Sequence, residues 1–191
     1  MPRSGEESRQ RLQKAALELF AERGYAETTA AEIAAHAGVT ERTFFRHFPD
    51  KREVLFAGEA EFRQTLIGSA AAAPEALGPL DALLWGFHKV APMLEQYRPY
   101  SEIRSKVVAE APALKERELA KAAALLDGLA EALRDRGVES RQAALAAHIG
   151  MAAFSYATSA WASDAAGGLD AHLDRAFNQL GALTERPRAG G

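Results

Sequence analysis

Residues 38–51 read GVTERTFFRHFPDK, and in that short stretch stand three phenylalanines, two arginines, two threonines, a histidine and a lysine. Turned at about 100° per residue, as a helix requires, Phe44 and Phe48 share one face while Arg42 and Arg46 project from the opposite one. The apolar face can bury against Phe20, Ile33, Ala34 and Val39. Phe45 and His47 fall on opposite flanks, with Thr43 between His47 and the arginines. Guanidinium forks match the O6 and N7 edge of guanine, Glu41 can accept from a cytosine amine, and Thr43 can reach a base edge or a thymine methyl. Thr29 and Thr40 at helix N-termini, together with His47 and Lys51, are placed to hold phosphates, which sets register without reading sequence. A short Arg/Phe helix also serves as plain amphipathic packing, and Thr40 and Asp50 cap helices whether or not a nucleic acid is present. Acidic Glu27, Glu32, Glu41, Asp50 and Glu53 crowd the same region, so its face is not strongly positive.

The elements that must position these groups are helices. The first places Leu12, Ala15, Ala16, Leu19 and Phe20 on one stripe and stops at Gly24. Thr29 followed by Glu32 is a capping box that opens AAEIAAHA. Gly38 closes that helix, Thr40 caps ERTFFRHF, and Pro49 ends it. Asp50, with Glu53 at the capping-box position, is expected to begin a fourth helix through KREVLFAGEAEFRQTLIGSAAAA. Further helices are expected at about 80–96, 100–109, 112–136, 140–163 and 169–184, with Pro92, Pro99, Pro112, Gly137 and the Gly167–Gly168 pair as punctuation. Two short helices around a glycine turn, the second carrying a donor ridge, make a helix-turn-helix. The reading is therefore all-α: a three-helix helix-turn-helix domain at 1–55, joined by a linking helix to a larger helical domain at 56–185, with a disordered tail at 186–191.

Composition narrows the function. The 191 residues carry a net charge of -3, which excludes a uniformly basic nucleic-acid binder but not a local basic face. No cysteine is present, so disulfides and thiolate metal sites are excluded. The opening MPRSGEESRQRLQ lacks the apolar run of a signal peptide, and a cytoplasmic protein is expected. Residues 142–163 are long and uncharged enough to raise a membrane span, yet they are rich in Ala, Gly, Ser and Thr around His148, which suits a buried bundle helix better. No nucleophile–base pair, phosphate loop or clustered carboxylate–histidine set marks an enzyme, and His88 and His148 stand too isolated to ligate a metal. No cofactor is expected.

From about Arg9 to Phe56 the chain resembles the TetR family of bacterial transcriptional regulators. The resemblance lies in AALELFAERGYAETTAAEIAAHAGVTERTFFRHFPDKREVLF: a first helix ending in Gly-Tyr, the Thr-to-Gly-Val helix-turn, the aromatic-x-His-Phe ending and the lysine after it. It implies that Thr29, Thr40, Arg42, Thr43, Phe45, His47 and Lys51 face DNA. At Phe45 the family usually has a tyrosine whose hydroxyl bonds a phosphate, a bond phenylalanine cannot make. The resemblance further implies a homodimer on a double-stranded palindromic operator, released by a small-molecule effector held in the larger domain. A carrier or DNA binder of the same fold without regulation stands as the alternative.

In that domain, residues 143–163 offer small side chains for close helix approach, and Leu169, Leu173, Phe177 or Ala176, Leu180 and Leu183 recur at helical steps, as a four-helix dimer interface needs. Trp85, Phe87, His88, Met93, Tyr97, His148, Met151, Phe154, Tyr156 and Trp161 supply aromatic, soft or polar surface for an effector pocket, or simply core. The stretch from Glu102 to Val138, with SAWAS later, loosely resembles the acyl-CoA-binding branch of the family. On that resemblance Arg98, Arg104, Lys106 and Lys115 could receive an anionic headgroup.

Overall fold

Alanine, leucine, glutamate and arginine favour helix, and among the described residues, 3–164 and 166–184 of the computed structural model, no strand occurs. The order is α1 (Arg3–Arg23), α2 (Ala30–His36), α3 (Glu41–His47), one 3-10 turn (Glu53–Phe56), α4 (Glu59–Ala71), α5 (Pro79–Glu110), α6 (Pro112–Asp135), α7 (Ser140–Ser163) and α8 (Gly168–Thr184). The tail expected at 186–191 lies outside the described residues.

Contacts gather these helices into two compact units that are not consecutive in sequence. The first combines Met1–Ala60 with Pro99–Ala120. Its core holds Leu12, Ala16, Phe20, Ile33, Phe44, Phe48 and Val54, each at most 2% exposed. Val107, Val108 and Leu114, from the end of α5 and the start of α6, bury in that same core. Local chemistry sets the helix ends. Thr29 and Glu32 form the reciprocal capping box at the start of α2. After α2, Val39 N–H donates to the Ala34 carbonyl at 2.9 Å and Gly38 N–H to Ala35 at 3.1 Å. That paired pattern needs a left-handed residue at Gly38, whose φ is +68°.

The second unit combines Glu61–Arg98 with Lys121–Gly191. Leu66, Leu83, Phe87, Val90, Leu129, Leu133, Leu169 and Leu173 form a fully buried centre. α7 buries Ala143, Ala146, Ala147, Gly150, Ala153 and Ala157, the small residues that let neighbouring helices come close. Glu95 on α5 accepts from the Leu169 N–H at 2.8 Å, satisfying a donor that the start of α8 would leave open. No helix among the described residues is long and apolar enough to cross a membrane.

Two expectations about elements are corrected. Asp50 does cap, accepting from Arg52 N–H at 2.8 Å and Glu53 N–H at 3.1 Å, but it opens a single 3-10 turn rather than a long helix. Gly58, at φ +84°, then redirects the chain before α4. The helices expected at 80–96 and 100–109 are one 32-residue helix, α5, with Pro92 and Pro99 inside it. Each interior proline costs about 3 kcal/mol. Burial on either side offsets this at about 1.5–3 kcal/mol for each large apolar side chain, from Phe87 and Val90 before the prolines to Val107 and Val108 after them.

Candidate nucleic-acid interface

The second helix of the helix-turn-helix is held by its rings. Phe44 and Phe48 are 0% and 2% exposed, with centroids 5.7 Å apart. Phe45 meets the edge of Phe44 at 5.3 Å but leaves half its own surface in solvent. Away from that seat, Arg42 and Arg46 are exposed, and among the described residues neither has a hydrogen-bond or ion-pair partner. Glu41 is exposed in the first turn of α3, its carboxylate free to accept. The ridge is thus an uncommitted set of donors and one acceptor on a rigid short helix.

Around it the polar groups are more committed. Thr40 caps α3, its hydroxyl accepting from Thr43 N–H at 3.2 Å, and the two threonine hydroxyls lie 3.0 Å apart. One proton serves that hydroxyl pair, leaving the other free for an outside acceptor such as a phosphate oxygen. Thr29 is exposed, but its hydroxyl proton is given to Glu32 at 2.8 Å. A phosphate at Thr29 would therefore have to displace a carboxylate. His47 buries Nε2 without a partner. Burial, and then the charges of Arg46 and Arg9, hold its imidazole below the ordinary histidine range, so it faces DNA as a neutral ring.

Lys51 requires a correction. Its ammonium donates to the carbonyls of Tyr25 at 2.8 Å, Ala26 at 3.1 Å and Thr28 at 2.8 Å, and stands 4.5 Å from the Tyr25 ring centroid. All three donors tie the loop before α2 to the segment after α3, so no proton is left for a phosphate. Thr28, passed over in the sequence, works at the same loop. It is 1% exposed and donates its hydroxyl to the Gly24 carbonyl at 2.9 Å. Nothing local marks either role, because the acceptors are backbone carbonyls. Arg9 also went unremarked, and its guanidinium lies 5.8 Å from the Phe48 ring centroid.

The residues proposed for an effector do not gather around an open space. Phe154 stacks on Phe87 at 4.6 Å and lies 6.3 Å from Phe62, filling the bundle interior. Met93 and Met151 pack against the same core. Trp161 is buried, with the Arg98 guanidinium 5.2 Å from its ring. Tyr97 is half-buried. Trp85 faces outward beneath the Lys89 ammonium, and His148 is exposed with Nδ1 on the Ala144 carbonyl. His88 is engaged by two carboxylates of α8, Asp170 at 2.6 Å and Asp174 at 3.0 Å. Arg104 belongs to the other unit, where it bonds the Leu55 carbonyl and Glu118, so it is no headgroup receiver in the bundle. A groove of about 300 Å³ lies elsewhere, lined by Gly78, Pro79, Leu80, Gln142, Leu145 and Ile149 among others. No group of three or more metal-ligating side chains occurs among the described residues.

A short helix seated on rings, with an unpaired donor ridge and a glycine turn before it, is the reading head of a helix-turn-helix protein. Residues 12–57 match the model of the bacterial regulatory proteins of the tetR family, and by that domain the chain belongs to the family. The HTH-type transcriptional regulator TcmR of Streptomyces glaucescens is 36% identical over 83 residues, which span 44% of this chain but only 37% of that relative. A TetR-family transcriptional regulator from Syntrophomonas wolfei superposes with a TM-score of 0.69 at 20% identity, over 97% of this chain and 99% of that one. The TetR-family repressor FadR of Thermus thermophilus, solved with lauroyl-CoA, gives 0.50 at 26% identity, over 96% and 99%.

Proposed function

We propose that this chain is a ligand-responsive transcriptional repressor. It binds a palindromic operator as a homodimer in the cytoplasm, and a small apolar or amphipathic effector releases it. The observation that carries the reading is the pair Arg42 and Arg46, exposed and without partners opposite two phenylalanines no more than 2% exposed. Such donors gain bidentate guanine contacts in a major groove without first breaking an internal bond. Arg42, Arg46, Glu41 and Thr43 read bases. Thr40 holds a phosphate, and Phe45 packs on the sugar–phosphate wall.

The effector reading draws on the second unit and on the lauroyl-CoA held by the Thermus thermophilus relative. An apolar effector would part the rings of Phe62, Phe87, Phe154 and Phe177. It acts as an inducer only if it binds the parted state more tightly, by a few kcal/mol. Selection of bound duplexes from a random pool tests the proposal. An enriched inverted repeat is expected; recovery of no sequence preference overturns it.

A further inference from the structure

The first unit contains a second cluster of arginines, away from the reading ridge. In the 3-10 turn, Val54, Leu55 and Phe56 are buried. The Arg104 and Arg117 guanidiniums lie 5.2 and 5.8 Å from the Phe56 ring centroid. Arg104 Nε donates to the Leu55 carbonyl at 2.8 Å, and its Nη1 pairs with Glu118 at 2.8 Å. Arg117 pairs with Glu53, whose side chain is only 21% exposed. Beside them Val107, Val108 and Leu114 are no more than 4% exposed. Apolar burial, cation–π contact and two ion pairs therefore fasten the elbow between α5 and α6 to one turn, and that turn follows α3 directly.

We infer that residues 100–118 are a latch: their docking on Glu53–Phe56 is a condition for a DNA-competent α3. The inference rests on the DNA-binding reading of α3. Its physical basis is a shared core, because Val54 and Phe56 pack in one cluster with Phe44 and Phe48. Withdrawing Val107, Val108 and Leu114 exposes that cluster from the side of the turn and loosens the seat of the ridge. α5 and α6 each have one end in the first unit and the other in the second. A rearrangement in the bundle therefore has a covalent route to the latch, and the ion pairs set how much work it must do.

Hydrogen–deuterium exchange on the full chain tests this, with the duplex recovered by selection as the probe. Bound DNA is expected to slow exchange at 53–57 and 103–114, although none of those residues lies on the ridge; coupling is reciprocal. Glu53→Arg should speed exchange in both segments by about tenfold or more, as losing a charged hydrogen-bond partner implies. It should leave α7 and α8 unchanged, and adding Arg117→Glu should restore the slow rates. Should Glu53→Arg fail to fold, Arg104→Lys, which keeps the charge but cannot span Leu55 and Glu118, should raise exchange in the same two segments. DNA that binds while 103–114 exchanges as before overturns the latch alone. The same holds if the variants leave both segments unaltered. A chain that binds no DNA overturns the functional reading together with it.

Discussion

Three cations near α3 meet different fates, and the difference lies in what each can reach. Arg42 and Arg46 find nothing in their own chain, whereas the Lys51 ammonium finds three carbonyls. Arg42→Ala and Arg46→Ala should each cost about 1–3 kcal/mol on the selected duplex and far less on random DNA, read by fluorescence anisotropy. Lys51→Ala should instead lower the melting temperature, through loss of charge-assisted hydrogen bonds, and leave the salt dependence of DNA binding unaltered. His47 adds a pH dependence. Its folded-state value lies below the ordinary 6.5, so the unfolded chain takes up a proton that the folded chain refuses. Stability from this group is complete above that pH and is lost as pH falls through it. His47→Gln should therefore lessen the drop in melting temperature between about pH 7.5 and 5.5. The two faces of α3 were legible in the sequence because helical period alone assigns them. The role of Lys51 was not, since its acceptors lie 23 to 26 residues away and bear no side-chain signature.

At the scale of elements, what could be read was what is local. The Thr29–Glu32 box, the Thr40 cap and the Gly38 turn each close within six residues of chain, and all three are present. The continuity of α5 through Pro92 and Pro99 was not legible, because it depends on what the helix buries rather than on its own propensity. Gly86 on α5 shows how tight that burial is. A Cβ there would stand 3.1 Å from Leu66 Cδ1, 3.2 Å from the Leu66 carbonyl oxygen and 3.3 Å from Ala70 N. Two of those neighbours are α4 backbone and cannot rotate aside. Alanine would gain about 1 kcal/mol of helix propensity, and displacing a packed helix costs about 1–3 kcal/mol, so Gly86→Ala should be destabilising overall. Chemical denaturation checks the sign; a more stable variant would mean that α4 yields easily.

For the whole molecule, α8 was expected to offer its leucine stripe to a twin. Leu169, Leu173 and Ala176 are instead buried within the chain, and of the named stripe only Leu183 is largely exposed among the described residues. The outward apolar surface is on α7, where Leu145 and Tyr156 are 61% and 59% exposed. They lie about three helical turns apart, and so on one face. A dimer built there predicts twice 20.5 kDa by light scattering, and Leu145→Glu with Tyr156→Glu should give the monomer. The monomer should lose the inverted repeat while keeping weak contact with a single half-site, because only a two-fold pair matches both groove turns. The amino-acid order by itself determined the helices, their caps and the two-faced reading helix, since period, capping and turn chemistry act over a few residues. Only tertiary structure decided that 99–120 completes the first unit, that Lys51 and Arg104 serve the fold, and that the bundle aromatics interlock, because each depends on partners brought together across the chain.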